Sequence, residues 1–466
     1  MSALDGPPDF LSRDACRALF TKLNGLTRGG GELTLSLVSR WRGSAEWGRN
    51  RIRVAADLRM TDLAITRSIR GSSSTVRTSR LDDDGLRDAV RILETNLGLD
   101  YEMPVQFQDP YVDQPILQPT LFSEPTYRMR VEDRTALVER MIAPAEAAGL
   151  QSAGELHVMA DGNTTISSSG LFRYVPTTSV ECAVTVRDRA GRGSGWAGVN
   201  HYDFAKIDPM ALADRALSKA RTSANPQAVE PGRYTTILEP QATADLFSML
   251  VGSGQFERGS MGRVDAESGF TAFSGKQMGW TKISEQVLDP RLTMSADPMD
   301  PDGGFLPYER YSGTPIRPVS WIDRGILREL AYDQSYALSA LGADRALPDS
   351  GSFRLAAAPG VPTLGVDDMI AKTERGVLVT RLSGVTQLDL KTVLCTGYTR
   401  DGLWLIERGK ISRAIKNFRF TESPLFVLNR LLDVGPSVRV YKPGRAWVAP
   451  AVRVDDFSFT ALADAV

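Results

Sequence analysis

The order in which two hydrophobic periods follow one another constrains this chain most. Leu33, Leu35 and Leu37 alternate with Thr34 and Ser36, and Ile52, Val54, Ala56, Leu58 and Met60 alternate with Arg51, Arg53 and Arg59. Successive side chains of a strand point to opposite faces, so both runs predict strands, the second with a solvated arginine face. Helical spacing flanks them. Leu11, Ala15, Leu19, Leu23 and Leu26 mark a helix over Asp9–Leu26, ended by Gly29-Gly30-Gly31, and Gly85–Leu97 forms another with acidic residues at its start. Ser72 to Asp84 reads as a polar turn between strand and helix.

The same order then returns. A helix over about Asp133–Ala143, stopped or kinked at Pro144, precedes the strand Glu155–Met159, strand-like Thr164–Ser168 and Glu181–Arg189, and a helix over Asp208–Ala220. Asp82/Asp208, Leu86/Leu212 and Asp88/Asp214 superpose at one constant spacing of 126 residues, which suggests an internal duplication. From Ser223 to Gly232 the chain is linker-like. Beyond it come a β-rich run at Tyr234–Leu238, a short helical pattern at Asp245–Val251, and mostly strand-like pieces over residues 283–460. Strands grouped with helices, without steady βαβ alternation, predict an α+β fold. The expected division is an N-terminal domain over 1–225 and a β-rich C-terminal domain over 232–466.

Charge and residue counts narrow the chemistry. A net charge of −1 gives no electrostatic footprint for nucleic acid. No run approaches the roughly 18 apolar residues of a membrane span, and the start lacks a basic segment leading into an apolar one, so neither membrane span nor signal peptide is expected. Three scattered cysteines, Cys16, Cys182 and Cys395, make no disulfide framework and favour a reducing, cytoplasmic setting. Only two histidines are present, His157 and His201, 44 residues apart. They form no i,i+4 pair and no H-E-x-x-H, which equips the chain poorly for a zinc site or a histidine-based triad.

The remaining candidates have simple structural readings. His201, in Gly198-Val199-Asn200-His201-Tyr202, reads as a loop histidine bonded to backbone, and His157 as a sheet-surface histidine sharing a face with Glu155 and Met159. Gly252-Ser253-Gly254 is flanked by Val251 and Gln255, where a G-x-S-x-G elbow would need glycines. Cys395 reads as a buried apolar residue, and Asp82-Asp83-Asp84 as an acidic helix start without a cation. Gly193-Ser194-Gly195-Trp196 is either a tight turn with a packed indole or part of a peptide-binding rim.

Several longer segments together carry a family resemblance. Pro231-Gly232-Arg233-Tyr234-Thr235-Thr236-Ile237-Leu238-Glu239-Pro240 leads into a helical segment, and Thr399–Ile411 leads to Ile415–Thr421. With the closing Val448–Thr460 and the upstream Ser169-Gly170-Leu171 and Gly193–Trp196, they resemble the TldD/PmbA (TldE) family from about residue 150 onward. That family has two kinds of subunit. The TldD kind carries H-E-x-x-x-H on the helix after the Pro-Gly strand and a cysteine near the C-terminus, while the TldE (PmbA) kind lacks these ligands and pairs with TldD.

Laid onto the motif, Ser248 and Ser253 occupy the histidine positions and Met249 the glutamate position, and Val440-Tyr441-Lys442-Pro443-Gly444 offers no cysteine. A neutral hydroxyl is a poor zinc ligand, and a thioether has no proton to exchange. The resemblance therefore implies a TldE-like subunit with no catalytic residue, metal or other cofactor of its own. It implies a heterodimer whose TldD-like partner supplies zinc and the general base, with a peptide as substrate and this chain completing the substrate channel, an extended peptide adding to a sheet edge. Two alternatives stand beside it: a self-sufficient peptidase using a site around His201 or Cys395, and a homodimeric peptide-binding scaffold.

Overall fold

A computed structural model describes residues 10–463 apart from 29, 70–71, 98–113, 191 and 253–258. The first half is one six-stranded antiparallel sheet with helices on it. Its elements are α1 (Arg13–Leu26), β1 (Glu32–Gly48), β2 (Arg51–Ile69), β3 (Ser72–Thr78) and α2 (Asp83–Leu97), then α3 (Glu124–Tyr127), α4 (Val131–Ala147), β4 (Gln151–Ser167), β5 (Phe172–Arg187), β6 (Ser194–His201) and α5 (Pro209–Thr222). The strand order is β3-β2-β1-β4-β5-β6. Two helix–three-strand–helix units thus stand back to back across the β1–β4 pair, whose register runs from Thr34↔Ser167 to Trp47↔Gly154. The 126-residue spacing has a physical counterpart in the helix starts. Asp82 Oδ1 accepts from the Gly85 N–H at 2.9 Å, and Asp208 Oδ1 accepts from the Ala211 N–H at 3.0 Å, while Leu86 and Leu212 are both buried.

Three details differ from the expectations drawn from sequence. Residues 72–78 form a strand rather than a turn, because Leu63–Ile69 offers them a pairing edge with Ile69 opposite Ser72. Pro144 lies inside α4 without stopping it. It removes one hydrogen bond near the helix end, and burial of Met141, Ile142 and Ala145 holds the last turn in place. Three alternating apolar residues of β2 are also not covered: Val54, Leu58 and Met60 are exposed, on a stretch that pairs with β1 but lies before the β3 pairing, which starts at Leu63.

Over β1 and β4 the sheet buries both faces, and the alternation decides which residues go where. Leu33, Leu35, Leu37, Trp41, Ala45 and Trp47 of β1 pack under the helices, with Leu23, Leu86 and Leu93 at one end and Val138, Met141 and Ala216 at the other. Arg40, Arg42, Ser44 and Glu46 of the same strand face the opposite way, beside Glu155, His157, Asp161 and Asn163 of β4.

The second half is an eleven-stranded sheet. It comprises β7 (Gly232–Leu238), then, after α6 (Pro240–Val251), β8 (Leu292–Ala296), β9 (Val319–Asp323), β10 (Ile326–Leu327), β11 (Phe353–Ala357), β12 (Arg375–Asp389), β13 (Leu394–Glu407), β14 (Lys410–Ala414), β15 (Phe418–Glu422), β16 (Leu431–Arg439) and β17 (Trp447–Leu462). β7 pairs with β12 on one side and β17 on the other, so β17-β15-β13-β12-β7 closes into a ring and hides the edges an open sheet would expose. α6 packs against this ring and is buried along most of its length, from Ala242 to Val251.

The two halves meet at a buried carboxylate. Asp401, 1% exposed, sits at positive φ before Gly402 within β13 and accepts a hydrogen bond from Arg381 Nε at 2.7 Å and one from the Ser194 hydroxyl. Arg187 of β5 lies 3.7 Å away. Gly195 brings β6 close enough to α5 that a Cβ there would meet the Ala216 carbonyl oxygen at 2.2 Å. Trp196 follows as a packed indole, buried, with the Arg381 guanidinium 4.7 Å from its ring centre. Asp401→Asn keeps a side chain that tolerates the left-handed backbone and removes only the charge, which strands Arg381 and Arg187. It is expected to cost about 3 kcal/mol of stability in denaturant unfolding, and a change below about 0.5 kcal/mol would show that the network contributes little.

Candidate functional site

α6 carries the positions singled out in the sequence. Pro240 fits its first turn, where no N–H is needed, and Gly252 ends it at φ 86°. Ser248 is buried and its hydroxyl donates to the Asp245 carbonyl oxygen at 2.7 Å, one turn back along the same helix. Met249 is 3% exposed and packs in the main apolar core with Phe247, Leu250 and Val251. Ser253 lies outside the described residues. Ser248 and Met249 therefore face helix backbone and core, and the pair does not suit zinc: one offers a committed neutral hydroxyl, the other a buried thioether.

The 440–444 segment meets α6 through an amide clamp. Gln241 Oε1 accepts from the Tyr441 N–H at 2.9 Å, and Gln241 Nε2 donates to the Tyr441 carbonyl at 3.2 Å and to Asp245 Oδ1 at 2.8 Å. Asp245 Oδ2 accepts from the Leu382 N–H at 2.9 Å. Burial pushes the Asp245 carboxyl up to about 6, against the lowering effect of these hydrogen bonds.

The next residues are stitched to the polar face of the first sheet. The Tyr441 hydroxyl donates to Glu155, the Lys442 N–H to Asn200 Oδ1 at 2.7 Å, and the Gly444 N–H to Glu181 Oε1 at 3.0 Å. His157, read as a sheet-surface histidine, sits on that face but is buried. Its Nε2 is 3.0 Å from Glu46 Oε1 and its Nδ1 2.9 Å from Arg42 Nη2, with Glu155 and Glu181 oxygens within 3.9 Å. His201 ends β6 rather than lying in a loop, and its Nδ1 accepts from the Asp203 N–H at 3.0 Å. Burial, and then the nearby Arg439, lowers its pKa. Cys395 is fully buried on β13 with its thiol 3.1 Å from the Glu422 carbonyl oxygen. Among the described residues no three His, Cys, Asp or Glu side chains converge as a metal site.

Between this polar face and the segments at 304–306 and 443–446 lies a cavity of about 390 Å³. Its walls include Arg40 and Asp161, directly opposed across β1 and β4, together with Glu181, Asn200, Arg439 and Arg445. Sequence reasoning placed Glu155 and His157 on one face but missed this chamber. A partial signal was available in Arg40 and Arg42, two cations on the polar phase of a strand whose other phase is mostly apolar.

This architecture, a helix-backed six-stranded sheet locked to a ring-closed second sheet, defines a class already known from solved structures. Residues 231–461 match the family profile described as PmbA/TldA metallopeptidase C-terminal domain. Over residues 231–461 the chain belongs to the PmbA/TldD family, a peptidase-like family. A protein of Bacteroides thetaiotaomicron described as a modulator of DNA gyrase has the same fold, with a TM-score of 0.78 at 16% identity over 97% of this chain and 100% of its own. A Thermotoga maritima protein described in the same way gives 0.77 at 15% identity, over 96% and 100%. TldE from Thermococcus kodakarensis gives 0.77 at 15% identity, over 95% and 99%. No curated protein matches the chain by sequence.

The Asp245 environment has a pH signature. A carboxyl whose folded pKa lies above its unfolded value, about 3.9, binds its proton more tightly when folded, so its contribution to stability is greatest below about pH 4 and is lost as pH rises through about 6. The loss is on the order of 2 kcal/mol. Asp245→Asn removes it, so the stability gap between wild type and variant shifts by that amount between pH 4 and pH 7 in urea unfolding. A gap that stays constant would mean that Asp245 titrates normally.

Proposed function

We propose that this chain is a non-catalytic, TldE-like subunit of a heterodimeric zinc metallopeptidase that processes peptides. A TldD-like partner supplies the metal and the general base, and this chain completes the channel in which the peptide lies. The observation that carries the reading is the fate of two motif positions: Met249 in the core and Ser248 bonded back onto its own helix supply neither a ligand nor a proton acceptor. No step of the peptide cleavage is assigned to this chain.

A partner surface is supported by β2. Over residues 51–62 the strand pairs with β1 alone among the described residues, and Val54, Leu58 and Met60 stand exposed along it. An unpaired edge with apolar side chains is costly to leave in water and suits a second chain or an extended peptide. The cytoplasm is the setting we infer, since Cys16, Cys182 and Cys395 are buried thiols not joined in disulfides. Among the described residues no helix is long and apolar enough to cross a membrane.

Co-expression with a family member that retains H-E-x-x-x-H is expected to give a heterodimer on gel filtration, with zinc and peptidase activity only in the complex. Stoichiometric zinc in this chain alone would overturn the proposal, as would activity of this chain alone that His201→Ala abolishes. Leu58→Asp with Met60→Asp is expected to weaken the heterodimer at least tenfold while shifting Tm by less than about 2 °C, because both side chains are already in solvent.

A further inference from the structure

The interdomain cavity holds more positive charge than its own walls compensate. Five guanidinium groups line it, and only two carboxylates, Asp161 and Glu181. Asp161 is consumed by Arg40, which grips both its oxygens at 2.6 and 2.7 Å. Glu181 Oε1 holds the Gly444 N–H. The other cations bond to neutral acceptors. Arg439 donates to the carbonyls of Asn200 at 2.8 Å, Asp302 at 2.6 Å and Arg445 at 3.3 Å, and Arg445 donates to the Ser350 carbonyl at 3.3 Å. Arg42 meets the imidazole of His157, and Arg310 makes no ion pair within 4 Å among the described residues.

Arg439 shows the consequence. Burial pulls its guanidinium down to about 10, although Asp300 and Asp302 act on it through space. Asp300 cannot do more, because Arg354 holds both of its oxygens at 2.6 and 2.7 Å. A cation that is ionised, desolvated and paired only with carbonyl dipoles gains when an anion arrives. Apolar side chains, Leu121, Met159, Phe305 and Leu306, line it between the charged groups. A volume of about 390 Å³ lined by both charged and apolar side chains is the form of a small-ligand or peptide-end site.

We propose that this cavity binds a carboxylate of the peptide substrate, held by Arg310, Arg42, Arg439 and Arg445 while neighbouring apolar atoms rest on Phe305 and Leu306. The proposal builds on the peptide-processing reading and adds which chemical group of the peptide this chain holds. The carboxylate is that of a free C-terminus or of an acidic side chain.

Binding is measured by calorimetry on the full chain alone, with three peptides of one backbone sequence: a neutral C-terminal amide, the same peptide as a free acid, and the amide with one internal glutamate. At least one carboxylate-bearing peptide is expected to bind about tenfold or more tighter than the neutral amide, and to lose affinity as salt rises. The free acid binding tighter assigns the C-terminus, and the glutamate peptide binding tighter assigns a side chain. Arg310→Gln is expected to remove about tenfold of that preference and Arg310→Lys to keep most of it, while neutral-peptide affinity and Tm stay unchanged. Equal affinity for all three peptides would overturn the proposal. So would a preference that survives Arg310→Gln combined with Arg445→Gln, or inorganic phosphate binding more tightly than either acidic peptide. Since no partner is present in this measurement, its failure leaves heterodimer formation and zinc location to be judged by their own results.

Discussion

A sheet that buries both faces must solve two different problems, and in this protein the second solution organises everything else. The face under the helices is apolar, and burial alone holds it. The other face carries Arg40, Arg42, Glu155, His157, Asp161 and Glu181, which lose water when the second half of the chain closes over them. Charges taken from water must find partners, and here they find them across strands and across the seam. Arg40 meets Asp161 within the sheet, while Glu155, Glu181 and Asn200 capture Tyr441, Gly444 and Lys442 from the other half.

That requirement explains why residues 439–446 are ordered as they are. A connection between two strands would ordinarily lie in solvent, satisfied by water. This one runs between Gln241 on α6 and Asn200 on β6, and each gives it both a donor and an acceptor. An amide side chain and a backbone peptide thus tie helix to segment. Gln241 and Tyr441 need no deprotonation to bond, and Met249 on the same helix packs in the core.

Much of this was legible in the residues themselves. Period-two runs located β1, β2 and β4, and the shared Asp–Leu spacing at 82/86 and 208/212 anticipated two equivalent helix starts, because an N-cap aspartate and a buried leucine one turn later are local requirements. The strand at 72–78 was not legible, since Ser72-Ser73-Ser74 has turn composition and becomes a strand only when β2 presents an edge to it. Cys395 and Trp196 could be read as packed residues from their neighbours. The cavity as a whole could not, because beyond the Arg40 and Arg42 signal its walls also come from β5, β6, Arg439 of β16 and segments near residues 121, 304–310, 352 and 443–446.

By itself the sequence determined the alternation, the helix caps and the hydroxyl and thioether at 248 and 249, because each depends on residue type and near neighbours alone. Tertiary structure decided which charges are compensated. Arg40 and Arg439 are alike as letters, yet one lies opposite an aspartate across a strand pair while the other is enclosed among carbonyl groups. Electrostatic balance depends on distances between groups far apart in the chain and on the water excluded around them, and only the assembled fold sets either.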